Sequence, residues 1–192
     1  LIVKVKNETC KIKIKNINIY NVLSSLAVLK ELNLNFKEII NKYKNSEPAE
    51  GRGRIYNITK YKKKFKLIDE SYNANPLSVK NAIKNLNSIK KQNFKKYLIL
   101  GDMLELGRKS EFLHKDLSKV INNSDIDKVF IKGNKTLATY RVIDKSKRGN
   151  IIQNEEDVDF ILNNIISNND YLMIKGSNAT GLNILSKKII KG

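Results

Sequence analysis

From Gly53 to the end of the chain, short apolar runs alternate with longer segments whose apolar residues recur every three or four positions. The runs at 65–68, 97–100, 128–131, 150–152 and 171–174 read as strands. Between them lie amphipathic segments. Residues 76–89 carry Val79, Ala82, Ile83, Leu86 and Ile89, and 110–121 carry Leu113, Leu117, Val120 and Ile121. Residues 155–166 carry Val158, Ile161, Leu162, Ile165 and Ile166. A weaker helix is expected near 136–143 and a last one over 180–190. Strands that are apolar along their whole length are buried on both faces. The alternation therefore predicts an α/β architecture, a mostly parallel sheet with helices on both faces. At its start, 54–58 and 65–68 read as a hairpin around the basic run Tyr61-Lys62-Lys63-Lys64-Phe65-Lys66.

The first fifty residues follow another pattern. Segments 1–5 and 11–15 alternate apolar and polar residues, as half-buried strands do. Residues 18–32 predict a helix with Val22, Leu23, Leu26, Ala27 and Leu29 on one stripe, and 36–43 a second, short one. The polar stretch Asn45-Ser46-Glu47-Pro48-Ala49-Glu50-Gly51 is the Pro/Gly-punctuated break of this half, and a domain boundary is expected there. The expected domains are 1–50 and 51–192.

The formal net charge of +18 would suit nucleic acid or an anionic membrane. The excess is nearly all Lys, scattered along the chain among many Asn and Ile, while Arg, the usual base reader, is sparse. A specific nucleic-acid partner is therefore not expected, and the basic run reads as a solvated hairpin. Cys10, the only cysteine, cannot form an internal disulfide, in keeping with a reducing, cytoplasmic setting. No apolar run approaches the ~20 residues of a membrane span, and no signal peptide is evident. A monomer is expected. The chain begins at Leu rather than Met, and we expect a fragment of a longer protein.

Right-handed crossovers place all carboxyl ends of parallel strands on one edge, where α/β proteins bind ligands. On that edge fall Asp69 to Asn75, Gly101-Asp102-Met103, Lys132-Gly133-Asn134-Lys135 and Lys175-Gly176-Ser177-Asn178. Asp69 is placed where a carboxylate can accept hydrogen bonds from hydroxyl groups, for instance those of a ribose. A plain structural reading competes: Asp69 and the amides merely turn the chain and cap the helix that Asn75-Pro76 begins. His114 is the sole histidine, and a lone imidazole beside Leu113 on a helix is more often structural than catalytic. No Cys/His metal cluster and no meaningful Ser-His-Asp spacing occurs.

Asp69-Glu70-Ser71-Tyr72-Asn73-Ala74-Asn75-Pro76 followed by Gly101-Asp102-Met103-Leu104-Glu105-Leu106-Gly107 resembles the Mur ligase family. Asn18-Ile19-Tyr20-Asn21, Gly51-Arg52-Gly53, Leu113-His114 and Lys175-Gly176-Ser177 occur in the family's order. The wording is most like the members that join D-alanyl-D-alanine to UDP-N-acetylmuramoyl-tripeptide in peptidoglycan synthesis. The Ser-Tyr-Asn-Ala-Asn and Gly-Asp-Met wording speaks against another Mur ligase or folylpolyglutamate synthetase.

The resemblance implies a Rossmann-like C-terminal domain preceded by the tail of a central ATPase domain. It implies ATP and Mg²⁺ as requirements, and the tripeptide and D-alanyl-D-alanine as substrates. Asn21 would contact the adenine with Asn18 in support, Arg52 would approach the phosphates, and Asp69 would hold the ribose. Asn73, Asn75, Asp102, Met103, Lys175 and Ser177 would line the cleft where the dipeptide amine meets the acyl phosphate. Two positions depart from the family pattern. Ile17 stands where a His usually precedes the Asn pair, and Asn178 where a basic residue commonly follows Lys-Gly-Ser. A larger departure is that no glycine-rich loop ending in Gly-Lys-Ser/Thr occurs in the 192 residues. The chain alone is therefore expected to be inactive, with Mg²⁺ held mainly by a part of the parent enzyme outside it.

Overall fold

The computed structural model describes residues 2–5, 8–11, 19–34 and 47–191, and divides into two compact units, residues 1–49 and 50–192. In the first unit β1 (Ile2–Val5) pairs antiparallel with β2 (Glu8–Lys11), Val3 opposite Cys10. The second strand thus begins earlier than the 11–15 reading. Residues 12–15 and the short helix expected at 36–43 lie outside the described residues. Helix α1 spans Ile19–Glu31 and buries Val22 and Leu26, whereas Leu23 and Ala27 of the expected stripe are exposed.

The second unit is built on one sheet. Its strands are β3 (Arg54–Lys60), β4 (Lys63–Glu70), β5 (Lys96–Gly101), β6 (Lys128–Lys132), β7 (Arg148–Ile151) and β8 (Tyr171–Lys175). Their spatial order is β3-β4-β8-β5-β6-β7. The β3–β4 hairpin is antiparallel and every other pairing parallel.

Successive strand residues point to opposite faces, and both faces are filled. On one, Ile68, Leu98, Leu100, Val129, Ile131 and Met173 pack under α2 (Pro76–Ser88) and α3 (Ser110–Asn122). On the other, Leu67, Tyr97, Ile99, Phe130, Leu172 and Ile174 pack under α5 (Glu155–Phe160) and α6 (Leu182–Lys191). The helix ends follow local chemistry. Asn75 Oδ1 caps α2 by accepting from Ser78 N, Asn75 N donates in return to Ser78 Oγ, and Asn154 and Asp157 repeat the arrangement on α5.

Two helices fall short of their sequence pattern. The segment expected at 136–143 forms only α4 (Leu137–Tyr140), because the chain must turn there; the Arg148 guanidinium collects the carbonyls of Arg141 and Ile143. The segment expected at 155–166 widens after Phe160 into a π-turn over Ile161–Ile165, whose end Lys63 closes by donating to the carbonyls of Asn163 and Ile166. The basic hairpin is therefore only partly solvated. Lys63 caps this neighbour, Lys66 Nζ donates to Tyr171 Oη at 2.8 Å, and Tyr61 Oη donates to Asp159 at 2.7 Å.

The strand order fixes where a ligand edge can be. The chain steps outward from β5 through β6 to β7, then returns to insert β8 between β4 and β5. Helices α2 and α3, which follow β4 and β5, cover one face, and α6, which follows β8, covers the other. The helices that follow β8 and its two neighbours thus leave toward opposite faces, which makes the carboxyl end of β8 the switch point where α/β folds bind ligands. None of the described helices is long and apolar enough to cross a membrane.

Candidate active-site edge

Three loops meet at the carboxyl end of β8, and Ser177 knits them. Its backbone N–H donates to Asp102 O at 3.1 Å, its hydroxyl accepts from Leu104 N at 3.1 Å, and the hydroxyl lies 3.4 Å from Ala74 O. Asp102 brings in a fourth loop, since Oδ1 accepts from Thr136 N at 2.8 Å. Gly133 allows this. Its φ is +118°, and a Cβ there would lie 2.5 Å from the Asp102 carboxyl. Gly101 and Gly176 pass each other closely under Leu182, and a Cβ on Gly101 would come within 2.5 Å of that side chain.

Met103 is buried, and its N–H donates to His114 Nε2 at 3.0 Å. His114 Nδ1 lies 2.7 Å from Ser110 O, a carbonyl that can only accept. The proton is therefore on Nδ1 and the imidazole is neutral, tying α3 to the loop after β5. This is the structural role expected of it.

Lys175 ends β8 opposite Glu70, which ends β4. Only 2% of Lys175 is exposed. Its ammonium donates to Asn73 O and, at 3.4 Å, to Glu70 O, while Glu70 Oε2 stands 3.6 Å away. Burial pulls the Lys175 ammonium below the usual lysine range, with Glu70 opposing. Burial likewise pushes the Glu70 carboxyl up, with Lys175 pulling it back. The pair is desolvated and loosely closed.

Asp69, one residue earlier on β4, is 3% exposed and engaged by the protein itself. Oδ2 accepts from Gly51 N at 2.9 Å; Oδ1 accepts from the Ser71 hydroxyl at 2.6 Å and from Ser71 N at 3.2 Å. Gly53 N donates to Asp69 O at 2.7 Å, and Tyr72 N to Gly51 O at 3.2 Å. These bonds hold the Gly51-Arg52-Gly53 turn against the end of β4. Gly51 and Gly53 have φ of +71° and +91°, and a Cβ on Gly51 would meet Tyr72 Cβ at 2.7 Å. Arg52 is exposed, and its guanidinium lies 4.4 Å from the centre of the Tyr72 ring.

The structure thus gathers Arg52, Asp69, Asn73, Asn75, Asp102, Met103, Lys175 and Ser177 on one sheet edge. Arg52, Asn73 and Asn75 face solvent, although Asn75 Oδ1 is committed to the α2 cap and Asn73 Oδ1 accepts from Ala74 N at 2.8 Å. The other five are buried and bind the loops to one another. Asn21 is exposed on α1, in the first compact unit, and Asn18 lies outside the described residues. Sequence reasoning passed over Glu70 and Tyr72. Their signals were present: Glu70 is the charge complementary to the lysine ending another strand, and Tyr72 is the aromatic inside the polar turn. Among the described residues no group of three or more His, Cys, Asp or Glu could hold a metal ion.

With this geometry in place, comparison with known proteins is direct. The profile of the Mur ligase, glutamate ligase domain matches residues 53–178. A UDP-N-acetylmuramoyl-tripeptide–D-alanyl-D-alanine ligase of Buchnera aphidicola subsp. Baizongia pistaciae is 31% identical over 177 residues, covering 91% of this chain. The match covers 36% of that relative, so the chain spans about a third of its length. The crystal structure of MurF from Acinetobacter baumannii superimposes with a TM-score of 0.82 at 21% identity, over 100% of this chain and 42% of that one. The MurF ligase of Thermotoga maritima, solved in complex with ADP, gives 0.70 at 21% identity over 89% of this chain and 38% of that one. These likenesses show the fold, and the profile match shows the family: the chain belongs to the Mur ligases.

Proposed function

We propose that this chain is the C-terminal part of an ATP-dependent ligase that joins D-alanyl-D-alanine to UDP-N-acetylmuramoyl-tripeptide. The observation that carries the reading is the built carboxyl edge. A glycine-flanked Arg52 is held out beside a desolvated Glu70–Lys175 pair, and the Gly101–Met103 and Lys175–Ser177 loops are locked together next to it. The relative's printed activity, with the family resemblance of the Ser71–Asn75 motif, supports the choice of substrates.

In this reading ATP supplies the phosphoryl group that activates the tripeptide carboxylate. Arg52 meets its phosphates as an exposed, bidentate cation. The dipeptide amine approaches along the wall formed by the loops after β4, β5 and β8, which Lys175, Ser177 and Asp102 hold rigid. Residues 1–50 are the tail of the ATPase domain, and Mg²⁺ would be held mainly by a part of the parent enzyme outside this chain. Lacking a phosphate loop, the 192-residue chain neither hydrolyses ATP nor forms peptide bonds.

The test is to assay the chain with ATP, Mg²⁺ and both substrates, and beside it a chimera carrying the upstream part of the Buchnera relative. Mass spectrometry should find UDP-N-acetylmuramoyl-pentapeptide with the chimera and none with the chain. Turnover by the chain alone, or a folded chimera that uses glutamate but not D-alanyl-D-alanine, would overturn the reading.

A further inference from the structure

Helices α2 and α3 run back from the carboxyl edge toward the amino edge, and their inner rows pack on the sheet. Above that contact the two helices leave an open cleft of about 430 Å³. Lys80, Ile83 and Lys84 line it from α2 at helical spacing, and Asp116, Lys119 and Val120 from α3. The loops of the carboxyl edge do not line it.

The cleft is closed at one end and open at the other. Asp116 ties the walls together, accepting from Lys80 at 2.5 Å and pairing with Lys119 at 2.8 Å. One turn further along α2, Lys84 is exposed, and among the described residues no carboxylate or carbonyl takes its ammonium. Three ammoniums face one carboxylate, so the walls carry an excess of positive charge. The floor is apolar, Ile83 and Val120. The polar groups at the far end are engaged: Ser124 Oγ donates to Ile121 O at 2.6 Å, and Asn87 Oδ1 accepts from Asp125 N at 2.8 Å.

That chemistry selects among ligands. A small inorganic anion would find ammoniums but no cradle of backbone N–H groups, and would leave the apolar floor wet. Reading bases calls for Arg or a stacking aromatic, and the cleft is lined by neither. A segment with carboxylates and apolar side chains on one face matches both walls and floor, laid along the seam as a helix lies in a groove. Lys80 and Lys84 stand about 6 Å apart along the helix axis, the spacing of carboxylates at i and i+4 on such a segment.

We propose that the α2–α3 cleft is a docking surface for an acidic, amphipathic segment of a partner protein, with Lys84 as its charged anchor and Val120 as its apolar seat. The surface is independent of the nucleotide and of the reaction.

The experiment titrates the full chain with an alanine-based helical peptide that carries Leu and Glu along one stripe. Methyl NMR follows binding at physiological salt, which screens diffuse attraction to the lysines. The Ile83 and Val120 methyls should shift while Ile55, on the hairpin, does not. Lys84→Glu should weaken the peptide about fivefold and Lys84→Gln about twofold. Lys62→Glu, at the hairpin tip, should leave it unchanged. Both lysines are exposed, so the fold tolerates either change. The same peptide with Gln for Glu should bind about fivefold more weakly.

No shift at Val120 with the Glu peptide would overturn the proposal. Equal binding of the Gln peptide would overturn it in favour of a groove that makes no use of charge. Equal losses from Lys84→Glu and Lys62→Glu would reduce it to diffuse attraction. A larger Val120 response to single-stranded RNA would make the cleft a nucleic-acid surface, and an equal response to inorganic phosphate a simple anion site.

Discussion

Two lysines are buried in the sheet domain, one at each edge of the same sheet, and they are treated in opposite ways. Lys96 opens β5 at the amino edge. Both Asp125 oxygens hold its ammonium, at 2.8 and 2.9 Å, and it also donates to the carbonyls of Asn87 and Ile89 that end α2. That is a saturated cation used as a helix cap. Lys175 closes β8 at the carboxyl edge, and its carboxylate partner stands off at 3.6 Å. Carbonyl groups hold both ammoniums, but only at the amino edge is the carboxylate partner drawn into contact. At the amino edge the β3–β4 hairpin turns on Tyr61 and Lys62, with φ of +52° and +59°, though neither is glycine. At the carboxyl edge positive φ values fall on Gly51, Gly53 and Gly133 and also on Glu105, at +61°.

The largest expected effect sharpens the lysine contrast. Lys96→Met leaves two helix-end carbonyls and Asp125 without their cation, and should cost about 3 kcal/mol in urea unfolding. Lys175→Met removes two carbonyl bonds but a looser ion pair and should cost about 1–2 kcal/mol. Equal losses would break the comparison. At the hairpin, Lys62→Gly relieves a left-handed residue and should add about 0.5–1 kcal/mol; a loss would mean that the tip is held by contacts rather than strained.

The smallest effect is one of sign. The folded-state pKa of Glu70 is raised, so its protonated form favours folding. That contribution is present below the usual carboxylate range and fades as pH climbs through the raised value. The stability of wild type minus that of Glu70→Gln should therefore fall as pH goes from about 4 to 7, by a few tenths of a kcal/mol. Asp116, held down to about 2 by hydrogen bonds from Lys119 and Lys80, gives the opposite slope. Wild type minus Asp116→Asn should lose stability only as pH drops below about 4.

What could be read from the sequence divides along the same lines. The parallel strands and the helices over both faces follow from apolar periodicity, which burial on two faces imposes on every residue of a strand. Predicted strands stopped short of Lys96 and Lys175 because lysine is expected in water, and only the register with Asp125 and Glu70 shows what holds them inside. The loop motifs at 69–75, 101–103 and 175–177 were legible as glycines, amides and carboxylates. Which of them face solvent was not. The engagement of Asp69 depends on Gly51, 18 residues away, and that of Asp102 on Thr136, 34 residues away. Sequence spacing carries no information about such contacts.

The proposed function puts the nucleotide at the carboxyl edge of the sheet. Hydrogen–deuterium exchange on the full chain, with and without saturating ATP at physiological salt, tests it directly. Slowed exchange is expected at residues 51–53, 70–75 and 101–104, with 87–96 and 123–127 unchanged. Protection centred on the amino edge, or spread over the lysines of the β3–β4 hairpin, would contradict it.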